Sequence, residues 1–215
     1  MKKHIRILIE RLFERFNHII LNREIMSLGI DLKRDIALNT ALSSIKTVFD
    51  VGANIGDSSL FYREIFKSTK VFSFEPISST FEIMQKKVKH DNNIITHKIG
   101  FSDVKGKFKV FLQSNNGLNS LNDKINVPQE NMNTEEETIT VSTIDEFCLE
   151  NNISSIDFLK TDTEGVDLKV LKGAEQLIKN GKIKYILVEV GFNEDNIRNT
   201  PFEEVRKYLL TYGYK

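Results

Sequence analysis

Apolar and polar positions divide the chain into short apolar runs alternating with longer stretches of helical spacing. Thr47, Val48, Phe49 and Val51 form a β-branched and aromatic run that stops at Gly52. Ile55, Leu60, Phe61, Ile65 and Phe66 follow at helical intervals. The pattern repeats from residue 46 onward, predicting strands at 47–51, 70–75, 94–98, 156–161 and 183–189. Helices are predicted at 56–67, 78–90, 143–151, 166–180 and 201–212. Buried strands that alternate with helices predict an α/β fold, with a Rossmann-like, doubly wound and mostly parallel sheet. Two extra strands are expected at 105–112 and 137–142. They flank a polar stretch from Gln113 to Glu136 that reads as a functional lid or a surface loop.

Ahead of this pattern, Ile5, Leu8, Ile9, Leu12, Phe13, Phe16, Ile19 and Ile20 lie on one face of a predicted helix over 4–21. Residues 1–25 carry a net charge of +3. Such a helix either docks weakly on a membrane surface or a partner, or packs over the domain or its site. A second helical stretch spans 31–43, so residues 1–45 read as a helical N-terminal extension and 46–215 as the main domain.

Charge and composition narrow the partners. Lys+Arg and Asp+Glu both number 30, which leaves no overall field favouring nucleic acid. One cysteine, Cys148, offers no intrachain disulfide. No apolar run approaches the roughly 18 to 20 residues of a membrane span. Glu10 and Arg11 interrupt what would be the apolar core of a signal peptide. The expectation is a soluble, cytoplasmic protein. Nothing in the pattern sets its oligomeric state.

Candidate chemistry begins at Asp50-Val51-Gly52-Ala53-Asn54-Ile55-Gly56. A strand, a glycine turn and a helix present backbone N–H groups to a nucleotide-like ligand. Gly52 and Gly56 permit positive φ, and asparagine at 54 best tolerates the same region among other residues. Glu75 follows Gly52 by 23 residues at the tip of the second strand, with Pro76 ending it. That position suits a carboxylate bound to a ribose diol. A dinucleotide fingerprint would place glycine where Asn54 and Asp57 stand. An anionic Asp57 at the helix start would repel a pyrophosphate but is compatible with S-adenosylmethionine.

Three segments together resemble the FkbM family of S-adenosylmethionine-dependent methyltransferases: residues 50–56, Phe74-Glu75-Pro76, and Asp157 to Ala174. The resemblance covers about residues 46–193 and implies the class I methyltransferase fold with methylation of hydroxyl groups on glycans or secondary metabolites. It also implies that Asp50, Gly52, Ala53, Asn54 and Gly56 line the methionine end of the cofactor. Glu75, beside Pro76, would hold the ribose, and Gly100, Phe101 and Ser102 would border the adenine. A Ser-Leu pair often sits in the lid of this family, which makes Ser120 a candidate contact.

The fourth strand delivers Lys160, Asp162 and Glu164 to the sheet's C-terminal edge, and the fifth delivers Glu189. An alcohol acceptor needs a general base or a cation that lowers its pKa. Asp162 is the first candidate for the base or for a contact on the cofactor's sulfonium side. Glu164 and Glu189 are candidates for acceptor hydrogen bonds or for ligands to a divalent ion such as Mg²⁺, with Lys160 as a neutralising partner. The residues argue against a metal, because no His or Asn reinforces the cluster and His4, His18, His90 and His97 supply no pair. Two other classes stay open: a nicotinamide-dependent oxidoreductase, and a non-catalytic cofactor-binding or interaction module. The class I fold adds an antiparallel pair of strands beside the fifth. Here Tyr212-Gly213-Tyr214-Lys215 follows the last helix, so the sheet is expected to lack that hairpin and leave its fifth strand as an edge.

Overall fold

The computed structural model describes residues 31–112, 119–122, 135–193, 196 and 198–215. The predicted helix over 4–21 and most of the polar stretch 113–136 lie outside them. The chain divides into two units between Ser44 and Ile45. In the first, helix α1 (Leu32–Ala37) is shorter than the predicted 31–43. Asp31 caps it by accepting from the Arg34 N–H at 3.0 Å. No described helix is long and apolar enough to cross a membrane.

The second unit alternates as the apolar pattern predicts. Strand β1 (Thr47–Val51) leads to α2 (Asp57–Ile65), β2 (Lys70–Phe74), α3 (Ser78–Val88) and β3 (Ile94–His97). Three strands then leave the main sheet: β4 (Gly100–Phe101), β5 (Gly106–Phe111) and β6 (Glu136–Ser142). The chain returns through α4 (Ile144–Glu150), β7 (Ile156–Thr161), α5 (Asp167–Lys172), α6 (Glu175–Lys179), β8 (Ile183–Val188) and α7 (Phe202–Leu210).

The main sheet is wholly parallel, in the order β3-β2-β1-β7-β8. It grows outward from β1 on one side and resumes with β7 on the other, so the order reverses between β1 and β7. Ligands of open parallel sheets sit outside that crevice. Its strands bury apolar runs on both faces, and Phe49, Phe74, Phe101 and Phe147 interlock with ring centroids 4.7 to 5.9 Å apart. The two extra strands do not extend this sheet. With Gly100–Phe101 they form a separate sheet, β4-β6-β5. Gly100 and Phe101 fall outside the predicted strands, because two residues are too few to show a period.

One predicted helix is two. The stretch 166–180 breaks at Gly173–Ala174, where α5 ends and α6 begins. Asp145 accepts from the Gln176 and Leu177 N–H groups at 2.8 and 3.0 Å, and so caps the new start from another helix. A Cβ at Gly173 would lie 2.1 Å from the Ser102 carbonyl oxygen, which fixes a glycine at the break. Among the described residues no strand lies beyond β8. Tyr214 reaches back after α7 and donates its hydroxyl proton to the Ile183 carbonyl at the start of β8.

Candidate functional site

Buried beneath the glycine turn is a charge that the apolar run of β1 does not advertise. Asp50 is fully buried and lies between Ser73 of β2 and Lys160 of β7, its register neighbours in the sheet. Its Oδ2 accepts from the Ser58 and Ser59 hydroxyls at 2.7 and 2.6 Å. Its Oδ1 lies 3.2 Å from the Lys160 ammonium. Lys160, only 6 % exposed, also donates to the Gly52 carbonyl at 2.8 Å and pairs with Asp162 Oδ2 at 3.3 Å. Burial works against that ammonium, but Asp50 and Asp162 outweigh it and hold Lys160 above the ordinary lysine value.

Above the ion pair the two loops meet. Gly52 has φ +72°, and a Cβ there would lie 1.9 Å from the Asp162 carbonyl oxygen. Only a residue without a side chain permits this approach. Asn54 takes the left-handed conformation expected of it, at φ +49°. The Gly52 and Ala53 N–H groups both donate to the Phe74 carbonyl, at 3.1 and 3.0 Å. Glu75, at the tip of β2, accepts from the Asn54 N–H at 3.2 Å and the Ile77 N–H at 2.9 Å.

These residues form one wall of a cavity. Gly52, Asn54, Glu75 and Pro76 line it beside Asp162, Thr163 and Glu164. Gly100 and Phe101 line it from β4. The facing wall is apolar: Ile77, Ile99, Val110, Leu121 and Ile139. Of these, Ile77, Val110 and Ile139 belong to a small core of the second sheet, with Leu121 packed on it. Ser120 joins the walls, donating to the Glu164 carbonyl at 2.6 Å and accepting from the Asn122 N–H at 2.9 Å.

Four residues expected at the cofactor do not line this cavity. Asp50 lies beneath the turn with both oxygens engaged, and does not reach the cavity. Ala53 is buried, with its N–H turned to Phe74. Gly56 (φ +89°) packs on α3, where a Cβ would meet Val88 Cγ1 at 3.0 Å and Met84 Cγ at 3.1 Å. Ser102 is buried and its N–H pairs with the Ser142 carbonyl. The Asp57 carboxylate, 70 % exposed, pairs with Lys87.

The acidic strand ends do converge, by a different route from the one expected. Strand β7 stops at Thr161, so alternation along a strand does not carry Glu164 to the cavity. A turn does, with Glu164 at φ +53° and Gly165 at φ +94°. Asp167 secures the turn by accepting from the Thr163 N–H and hydroxyl at 3.1 and 2.9 Å, a role the sequence reading missed. Its signal was an acid in the first turn of a helix with no side-chain cap of its own. Asp162, Glu164 and Glu189 each bring one oxygen within 4.8 Å of the others. Glu189 is exposed overall, yet its carboxyl is pushed up to about 7. Loss of hydration is the largest cause, followed by its hydrogen bond with Asp162 and the charges of Asp162, Glu164 and Asp167.

Glu75 is raised to about 7 as well. Burial is the main cause, opposed by the Ile77 and Asn54 N–H groups and by Lys160, and reinforced by Glu137. Between the ordinary 4.5 and about 7 the folded protein holds a proton that the unfolded chain has released. Stability therefore falls as pH rises through that window. Glu75→Gln removes the share of the dependence that Glu75 carries. Relative to the wild type, the variant should gain up to about 3 kcal/mol between pH 4.5 and pH 8, read from urea unfolding. A stability difference that does not move with pH would show that Glu75 is not the titrating group.

Residues 50–215 match the domain family described as "Methyltransferase FkbM domain". A curated protein of Beauveria bassiana (strain ARSEF 2860), named Methyltransferase 1, is 22% identical over 144 residues, 60% of this chain and 58% of that protein. A crystal structure of methyltransferase FkbM from Methylobacillus flagellatus KT aligns with a TM-score of 0.54 at 21% identity, over 82% of this chain and 40% of that one. The chain thus spans less than two thirds of either protein's length. The structural likeness carries the fold.

Proposed function

We propose, for a chain that belongs to the FkbM methyltransferase family, that the cavity between β1 and β7 holds S-adenosylmethionine and that a hydroxyl of a glycan or secondary metabolite is methylated beside it. The observation that carries this reading is the cradle itself. A backbone turn that admits no Cβ at Gly52 stands next to a buried carboxyl, Glu75, on one cavity wall. That combination fits a nucleoside with a ribose diol, and the apolar wall opposite fits a flat ring.

When bound, the cofactor supplies a methyl group on a positively charged sulfur. The protein's share is alignment, charge and proton handling. Gly52 and Asn54 shape the turn that would hold the methionine end, and Glu75 would accept from the ribose hydroxyls. Gly100 and Phe101 would border the adenine. Asp162 faces the cavity over Lys160 and is suited to the sulfonium side. A carboxyl poised near neutral pH, as Glu189 is, suits the receipt of a proton from an acceptor hydroxyl at its Oε atoms. Glu164 is placed to share that proton or to hold the acceptor.

The test is a comparison of ligands by thermal shift. S-adenosylhomocysteine is expected to raise the melting temperature and NAD(H) to leave it unchanged. Stabilisation by NAD(H) alone would replace the methyl-donor reading with an oxidoreductase.

A further inference from the structure

Lys160 is an unusual element of this site, because it lines no part of the cavity. Its ammonium donates to the Gly52 carbonyl at 2.8 Å and forms ion pairs with Asp50 Oδ1 at 3.2 Å and Asp162 Oδ2 at 3.3 Å. Two of those partners, Gly52 and Asp162, do line the cavity. The lysine therefore reaches a bound molecule only through them and through its field. That field is weakly screened, because Lys160 and Asp50 are 6 % and 0 % exposed.

Asp50, Asp162 and Lys160 together carry one formal negative charge, beside the carboxyls of Glu75, Glu164 and Glu189. S-adenosylmethionine and S-adenosylhomocysteine share their ammonium, carboxylate and adenosine groups, and differ by the methyl group and by one positive charge at sulfur. A site with excess negative charge would favour the sulfonium, and a neutral one would not distinguish the two by charge. We infer that Lys160 is a positioning residue that sets the charge of this site and, through it, the preference for the sulfonium donor over the thioether product. The inference rests on the methyl-donor reading above.

The test is the ratio of dissociation constants for the two ligands, measured by titration calorimetry at low salt and pH 8 on the full chain. Loosening of the turn would weaken both ligands together and leave the ratio alone, so the ratio separates a charge effect from a merely structural one. Lys160→Met is expected to raise Kd for S-adenosylhomocysteine relative to S-adenosylmethionine by about tenfold, the scale of one unit charge at intermediate dielectric. Lys160→Arg, which keeps the charge, should stay within about twofold of the wild-type ratio. Asp162→Asn removes a negative charge while keeping the lysine itself, at the cost of one of its ion-pair partners, and should shift the ratio about tenfold the other way. It serves as the measurement if Lys160→Met does not fold. A wild-type ratio in Lys160→Met, or in Asp162→Asn, overturns the role given to the charge. A wild-type protein that binds neither ligand instead overturns the methyl-donor reading, and the inference with it.

Discussion

Gly52→Ala is expected to abolish ligand binding in the cavity and to cost about 2 to 4 kcal/mol of stability, since backbone strain and overpacking act at the same position. The added Cβ would sit 1.9 Å from the Asp162 carbonyl oxygen and 2.9 Å from its carbon, and φ is +72°. Neither contact is with the end of a flexible side chain that could swing away. Relief requires β1 and β7 to part where their loops meet, and Asp162, Thr163 and Glu164 move with that edge. The Lys160 contact to the Gly52 carbonyl at 2.8 Å is lost in the same movement. Urea unfolding and titration with S-adenosylhomocysteine read the two effects separately. An alanine variant that binds with wild-type affinity would mean the loops have slack that the structure does not show.

The second large effect is expected at Asp50. Asp50→Ala removes one partner of a buried ion pair, for which a cost of about 3 to 5 kcal/mol is typical. Lys160 would keep its ammonium 6 % exposed with a single carboxylate beside it. Ser59 can still pair with the Ser73 hydroxyl at 2.7 Å, whereas Ser58 loses its acceptor. A double variant, Asp50→Leu with Lys160→Met, should recover part of the loss because no unpaired charge remains. A drop below about 1 kcal/mol in the urea-derived stability of Asp50→Ala would mean that the pair is hydrated.

The order of strands and helices was legible because parallel sheets bury both faces and helices repeat every turn, and both leave long runs in the sequence. Glu75 and Asn54 were legible for local reasons: a strand tip has one location, and a left-handed residue has few candidates. Asp50 was placed in the first strand by its apolar neighbours, but its surroundings were not legible, because they come from register, which sets it between Ser73 and Lys160. Glu164 reached the cavity by a left-handed turn where strand alternation had been expected. The break at Gly173 depends on a carbonyl 71 residues earlier in the chain, that of Ser102, and helical spacing carries no trace of it.

The separate sheet β4-β6-β5 leaves one part of the cavity independent of the main sheet's ladder. Val110 and Ile139 supply cavity wall from strands whose backbone ladder is not part of the main sheet. The hairpin is moored by Glu137, which accepts from the Ser78 N–H with both carboxylate oxygens at 3.1 and 3.0 Å, and Lys98 lies 3.4 Å from that carboxylate. Substitutions at Val110 or Ile139 can therefore reshape the cavity without interrupting the ladder of the main sheet, provided that Ser78, Lys98 and Glu137 keep the second sheet in place.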